Sequence, residues 1–252
     1  MRATREVAIE RIDLSGPARA DARDRLVVEA PLQVRARGTP VATVMRTPGH
    51  DLELVRGLLH AESVPRAPLA QVDADAVDAD VDPSAFAGRG LLSSAACGVC
   101  GRVAIADLET RAREVTADTQ IDAAVLASLP AALRAAQAVF ADTGGLHAAG
   151  LFTPAGAFVA AREDVGRHNA LDKLFGWALD AGIAPAAHVV VCSGRLGYEL
   201  VQKTVMFGAP ILAAVSAPSS LAVELAERFN VGLAGFVRPP RVNLYAHAWR
   251  VR

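Results

Sequence analysis

"HVVVCSGRLGYELVQKTVMFGAPILAAVSAPSSLAVELAERFNVGLAGFV", residues 188–237, decides the fold. Three short apolar runs, "VVVC" (189–192), "ILAAV" (211–215) and "VGLAGF" (231–236), alternate with two amphipathic ones, "RLGYELVQKTVMF" (195–207) and "SLAVELAERF" (220–229). Apolar runs of strand length with no polar alternation suit strands buried on both faces. Their alternation with helices predicts βαβ units and a largely parallel sheet covered by helices, an α/β fold.

Reading outward, "VGRHNALDKLFGWALD" (165–180) predicts a helix, with Leu171, Leu174, Phe175 and Ala178 as its buried stripe and Asp164 as its N-cap. "AGLFTPAGAFVAARED" (149–164) predicts a hairpin, and "RVNLYAH" (241–247) a last strand. "IDAAVLASLPAALRAAQAVF" (121–140) reads as a helix bent at Pro130, and "VAIADL" (103–108) as a strand. Residues 5–46 read as β, with runs separated by Pro31 and Gly38-Thr39-Pro40. "TPGHDLELVRGLLHAE" (47–62) starts a helix whose apolar stripe is Leu52, Val55, Leu58 and Leu59. "QVDADAVDADVDP" (71–83) fits an exposed strand or a solvated acidic segment equally well. The expected organisation is an N-terminal β-rich lobe over residues 1–48 and an α/β domain over 49–252.

The chain has 252 residues, of which 52 % are hydrophobic, with a mean hydropathy of +0.28, enough for a large core. A net charge of -1 argues against a broad nucleic-acid footprint. No charge-free apolar run is long enough for a membrane span, and the N-terminus lacks the apolar core of a secretory signal. Three cysteines do not make a disulfide scaffold, and the expected compartment is the reducing cytoplasm.

In an open α/β sheet, ligands bind outside the carboxyl ends of the parallel strands. Here those ends run into Ser193-Gly194-Arg195, Ser216-Ala217-Pro218 and "FVRPPR" (236–241). If the three strands are neighbours, one rim carries Ser193, Ser216, Arg195, Arg238 and Arg241, a phosphate or carboxylate site. Each serine taken alone also fits a helix N-cap. No GxGxxG and no P-loop motif occurs. His168 and Asp172, like Asn169 and Lys173, share a helix face at i, i+4, the spacing of a site or of a solvated salt-bridged face; Glu199 and Lys203 have the spacing of an ordinary i, i+4 pair. Cys192 closes an apolar strand and reads as a buried inert thiol.

The other two cysteines stand in "SSAACGVCGR" (93–102), on a loop of Ser, Ala and Gly. "HAE" (60–62) followed by Cys97 and Cys100 superficially matches the zinc-deaminase signature, but Ala96 replaces its proline and His60 falls at a helix end. A thioredoxin-like dithiol needs a helix directly after the pair, where "RVAIADL" is β-like. Two structural thiols would pack little beside glycines. A sulfur relay, whose thiolate must reach two partners, fits the small, mobile neighbours best.

"CGVCG" (97–101), "EDVGRHNALDKLFG" (163–176), "CSGRLGYELVQKTV" (192–205), "APILAAVSAPSSLAVELAERF" (209–229) and "GFVRPPRVNLY" (235–245) closely resemble the FdhD family of formate dehydrogenase accessory sulfurtransferases. "RTPGHDLELVRGLLHAE" (46–62) and "GGLHAAGLF" (144–152) join them, so the resemblance spans about residues 26–247. It implies a cytidine-deaminase-like αβα sandwich with an extra N-terminal β lobe, acting as a homodimer without the deaminase zinc. It implies that sulfur arrives as a persulfide from a cysteine desulfurase. The sulfur goes on to molybdenum or tungsten in bis-molybdopterin guanine dinucleotide, before installation in formate dehydrogenase; GDP mimics the guanine-nucleotide end. Carried onto this chain, Cys97 is the persulfide carrier and Cys100 the second thiol. The cofactor segment is Phe236, Val237, Arg238, Pro239, Pro240 and Arg241, with Ser193, Arg195, Ser216 and His168 expected beside it. Pro239 and Pro240 remove two backbone donors where a flexible Gly-containing turn is usual, so recognition falls to the arginines and carbonyls. The alternatives are a cofactor chaperone without sulfur chemistry and a zinc-dependent deaminase-like hydrolase.

Overall fold

A computed structural model describes residues 2–16, 19–86 and 108–252. The quoted segment forms β9 (Val189–Cys192), α5 (Tyr198–Phe207), β10 (Ile211–Ala214), α6 (Ser220–Arg228) and β11 (Gly232–Arg238). They belong to a six-stranded sheet of order β12-β11-β10-β9-β7-β8, with β7 (His147–Phe152), β8 (Phe158–Asp164) and β12 (Arg241–Ala246).

The apolar runs are continuous because both faces of this sheet are covered. Val190 and Cys192 of β9 and Leu212 and Ala214 of β10 pack with α4 (Arg167–Asp180), α5 and α6. The alternate residues Val189, Val191, Ile211 and Ala213 pack on the other face against Leu126, Leu129 and Leu133 of α2 (Ala123–Ala135). The result is three layers, αβα. Within this sheet the described parallel pairs are β9-β10 and β10-β11, whereas β12, β7 and β8 run antiparallel to their neighbours. The sheet is therefore more mixed than the alternation of runs suggests.

Asp122 caps α2, accepting from the N–H groups of Ala124 and Val125. Pro130 stays inside α2, and the break falls later, before α3 (Ala138–Thr143). Residues 103–107 of the strand expected at 103–108 lie outside the described residues.

A second sheet, of order β4-β3-β6-β5, has its own core with α1 (Asp51–Ala61). Its strands are β3 (Ala30–Ala36), β4 (Thr39–Arg46), β5 (Leu69–Asp73) and β6 (Ala76–Ala79). The acidic segment is thus half of a β-hairpin sheet, and the N-terminal sheet runs well past residue 48. Leu52 of the expected α1 stripe is exposed, and Leu54 takes its place in the core. Arg46, fully buried, ties this lobe together. Its fork donates to Asp51 Oδ1 and Oδ2 at 3.0 and 2.9 Å, and to Asp75 Oδ1 at 3.1 Å. β1 (Thr4–Ile12) and β2 (Arg19–Val27) form a separate two-stranded hairpin, linked to α3 by the Arg25–Asp142 ion pair at 2.7 Å.

The two sheets meet through α1 and α4, whose backbones touch at glycines. A methyl group on Gly57 would overlap the Asp172 carbonyl, and one on Gly176 the Glu53 carbonyl. Among the described residues no helix is long and apolar enough to cross a membrane.

Candidate functional site at the carboxyl ends of three strands

The register aligns Cys192 with Ala214 and Ala213 with Ala234, so the carboxyl ends of β9, β10 and β11 lie side by side. Backbone hydrogen bonds stitch the three ends together. Leu196 N–H donates to Ala217 O at 3.1 Å, Ser219 N–H to Leu196 O at 2.9 Å, and Phe236 N–H to Ser216 O at 3.2 Å. The sequence's expectation of one shared rim matches this arrangement.

Neither rim serine caps a helix. Ser193 extends the β9–β7 pairing: its N–H donates to Ala148 O at 2.9 Å, and its Oγ accepts from Ala148 N–H at 2.8 Å. The caps are Gly197 for α5 and Ser219 for α6. Ser216 is half-buried, with its carbonyl committed to Phe236.

Arg195, Arg238 and Arg241 are exposed and make no ion pair with any described carboxylate. Arg238 and Arg241 face each other across the β11–β12 turn, whose tip is the cis Pro239-Pro240 unit. Phe236 adopts a left-handed φ of 50° and exposes its ring at the rim. A non-glycine residue in that region costs about 1–3 kcal/mol and marks a place where the surroundings impose the conformation. Val237, also expected in the cofactor segment, is fully buried in the α2-side core and offers no surface at the rim.

α4 brings the densest polar cluster of the sequence to the same edge. Asp164 is not the N-cap of α4; that position is Gly166, which has no side chain to cap with. Asp164 is instead a buried hub. Its Oδ2 accepts from Thr47 N–H at 3.0 Å and from Lys173 Nζ at 2.7 Å, and its Oδ1 from Gly166 N–H at 2.8 Å and Asn169 Nδ2 at 2.9 Å. Lys173 also donates to Thr47 O, and Asn169 to Met45 O. Asn169 and Lys173 therefore lock the β4–α1 junction onto the larger sheet.

The other face of α4 meets α5. His168 Nε2 lies 2.9 Å from Glu199 Oε2, and Lys203 Nζ 2.9 Å from Asp172 Oδ1. The i, i+4 spacing was thus a poor guide: both pairs cross between helices, and the lower one is buried. The hydrogen bond from His168 holds the Glu199 carboxyl below the ordinary range, against the opposing pull of burial. Burial pushes Asp172 upward, and Lys203 opposes it.

His147, which the sequence reading passed over, is the first residue of β7 and stands beside Ser193. A single histidine at the head of an apolar run carries no local signal; only strand pairing places it on the rim. His60 of the "HAE" segment directs Nε2 at Met206 O, 2.9 Å away. Cys97 and Cys100 lie outside the described residues. A cavity of about 510 Å³ between residues 111–117 and the end of α5 contains none of the rim residues, and the chemistry of the rim side chains makes the rim the better candidate.

The αβα layers and the aligned carboxyl ends of β9, β10 and β11 define an α/β protein whose edge exposes arginines that make no ion pair among the described residues. The FdhD/NarQ family model matches residues 27–252, and the chain belongs to that family. It is 46 % identical over 248 residues to a protein of Nocardia farcinica named sulfur carrier protein FdhD, covering 91 % of this chain and 89 % of that one. Proteins of the same name from Streptomyces avermitilis and Mycobacterium tuberculosis are 45 % and 42 % identical, each over 90 % of this chain and 89 % and 92 % of their own. The crystal structure of a putative formate dehydrogenase accessory protein from Desulfotalea psychrophila shares the fold, with a TM-score of 0.80, 23 % identity and full coverage of both chains.

Proposed function

We propose that this chain is a sulfurtransferase. It accepts a persulfide sulfur from a cysteine desulfurase on Cys97 and passes it to the metal of bis-molybdopterin guanine dinucleotide, as required for formate dehydrogenase. The observation that carries the reading is the set of exposed guanidiniums, Arg195, Arg238 and Arg241, which make no ion pair among the described residues and share one rim of a chain whose relatives are named sulfur carrier proteins. Backbone hydrogen bonds hold the rim, so its arginines are free of a structural task and available to a phosphorylated ligand.

In this reading the Cys97 thiolate attacks the outer sulfur of the donor persulfide, and the donor cysteine leaves as a thiolate. Cys100 then attacks the inner sulfur of the Cys97 persulfide. A Cys97–Cys100 disulfide forms, hydrosulfide leaves toward the metal of the bound cofactor, and an external dithiol regenerates the pair. The cofactor is substrate here: the arginines hold its phosphates and the exposed Phe236 ring lies beside them. We place the protein in the cytoplasm, as a homodimer with a deaminase-like fold that meets the desulfurase and the formate dehydrogenase apoenzyme in turn.

Mass spectrometry after incubation with a cysteine desulfurase and cysteine tests the reading. A gain of one sulfur on the Cys97 peptide, lost in Cys97→Ala, is expected. GDP binding with no sulfur gain would leave a cofactor chaperone instead.

A further inference from the structure

The rim holds a second group of side chains that the three arginines leave unexplained. His147, Ser193, Gly194 and Arg167 converge from β7, the end of β9 and the start of α4. Gly194 separates the imidazole from the arginine stem: a methyl group there would lie 3.2 Å from His147 Nδ1 and 3.5 Å from Arg167 Cδ. Ser193 Oγ is 3.5 Å from His147 Nδ1. Arg167 Nε is shielded from solvent without a hydrogen-bond partner among the described residues. Its guanidinium makes no ion pair among the described residues, because the nearby acids are engaged. Asp164, opposite His147 in the β7–β8 ladder, has both oxygens committed, and Glu199 is bonded to His168.

A shielded donor without an acceptor is rare in native proteins, and a guanidinium beside an imidazole is a place for an oxyanion. The charged groups facing His147 are Arg167 and His168 from α4 and Asp164 from β8; β9 contributes only the Ser193 hydroxyl. Burial first, then Arg167 and His168, hold the His147 imidazole below its ordinary pKa, against Asp164.

We propose that His147 and Arg167 form a phosphate subsite of the rim, and that an oxyanion seated between them binds together with a proton taken up by His147. The proposal rests on the reading of the rim as a guanine-nucleotide site. An anion cancels the field of Arg167 at the imidazole and accepts a hydrogen bond from each group. The proton comes from solvent, and no covalent bond changes. The sign follows from linkage: a ligand that prefers the protonated imidazole binds more tightly as pH falls, until His147 is already protonated in the free protein.

Calorimetric titration of the full chain with GDP, near neutral pH in two buffers of different ionisation enthalpy, counts the protons taken up. Wild type is expected to take up part of a proton per GDP. His147→Gln should take up none beyond the nucleotide's own titration and bind on the order of tenfold more weakly. Guanosine, which has no phosphate, should cause no uptake. Uptake with GDP alone ties the subsite to a bound nucleotide, and uptake with inorganic pyrophosphate as well extends it to free anions. Equal proton counts in wild type and His147→Gln, or uptake with guanosine, would overturn the subsite and leave the rim reading standing. No GDP binding by wild type would overturn both. Should the variant fail to fold, NMR of the wild-type His147 ring decides: GDP must move its titration upward, and an unmoved titration rejects the proposal.

Discussion

Lys173 Nζ stands 2.7 Å from Asp164 Oδ2, with both side chains excluded from solvent. The pair joins α4 to the end of β8, and each partner also grips the backbone of Thr47, so one ion pair seats the N-terminal lobe on the larger sheet. Removing one partner strands the other charge in a dry interior. Lys173→Met should therefore cost about 3–5 kcal/mol in urea unfolding. Adding Asp164→Asn to it should cost less than the sum of the single changes. A loss within experimental error of zero for Lys173→Met would show that the network repacks without it.

Gly176 lies inside α4, where alanine normally gains about 0.5–1 kcal/mol over glycine. Here the added methyl would overlap the Glu53 carbonyl across the α1–α4 contact. The clash involves backbone on both sides and cannot be relieved by a rotamer. Gly176→Ala should be destabilising by about 1–3 kcal/mol, the reverse of the helix-propensity sign. A stabilised variant in thermal unfolding would mean that the helices are farther apart.

Glu53 carries a pH dependence. Burial pushes its carboxyl upward, but hydrogen bonds from Arg162 and His50, together with their charges, more than reverse this and hold it at about 2. A carboxyl depressed in the folded state contributes stability that is complete above its ordinary pKa and fades as pH falls toward the folded value. The stability difference between wild type and Glu53→Gln should be about 2 kcal/mol at neutral pH and shrink between about pH 4.5 and 2. A difference that stays constant through that range would remove the linkage.

What the sequence disclosed here follows from locality. β9, β10 and β11 were legible because burial on both faces leaves uninterrupted apolar runs, and their shared rim followed from parallel order. The β7–β8 hairpin was legible too, because Pro154 and Gly156 mark its turn between two apolar runs. Strand direction is not encoded in such runs, so the antiparallel joins of β7 to β9 and of β12 to β11 were invisible. Asp164 sits where an N-cap would sit, and only the fold reveals Thr47 against it, 117 positions away. Glu199 and Lys203 have the spacing of a helical ion pair, yet their partners are on α4. His147 reaches the rim through strand pairing alone.

Cys192 should be chemically silent. It is buried at the end of β9, and burial pushes its thiol up to about 12. With so little thiolate at neutral pH it cannot serve as a sulfur acceptor. Native alkylation followed by peptide mass mapping should leave Cys192 unlabelled until the protein unfolds. Cys192→Ala should cost on the order of 1 kcal/mol and leave sulfur loading unchanged. Loss of loading in that variant would move the carrier role to this residue.

The rim arginines and the sulfur-loading step should separate. Arg238 and Arg241 face each other across a turn whose two prolines offer no N–H, so backbone donors cannot replace a lost guanidinium. Charge-assisted hydrogen bonds to phosphate contribute about 1.5–3 kcal/mol each, roughly one to two decades of affinity. Arg238→Ala and Arg241→Ala should each weaken GDP binding by that order in calorimetric titration. Neither side chain packs in the core, so the melting temperature should hold. Loading of sulfur from the desulfurase should be unaffected, because it calls on the carrier thiol and not on the rim. Unchanged GDP affinity in the double variant would remove these two arginines from the nucleotide site, whereas loss of loading together with binding would mean that donor and acceptor share one surface.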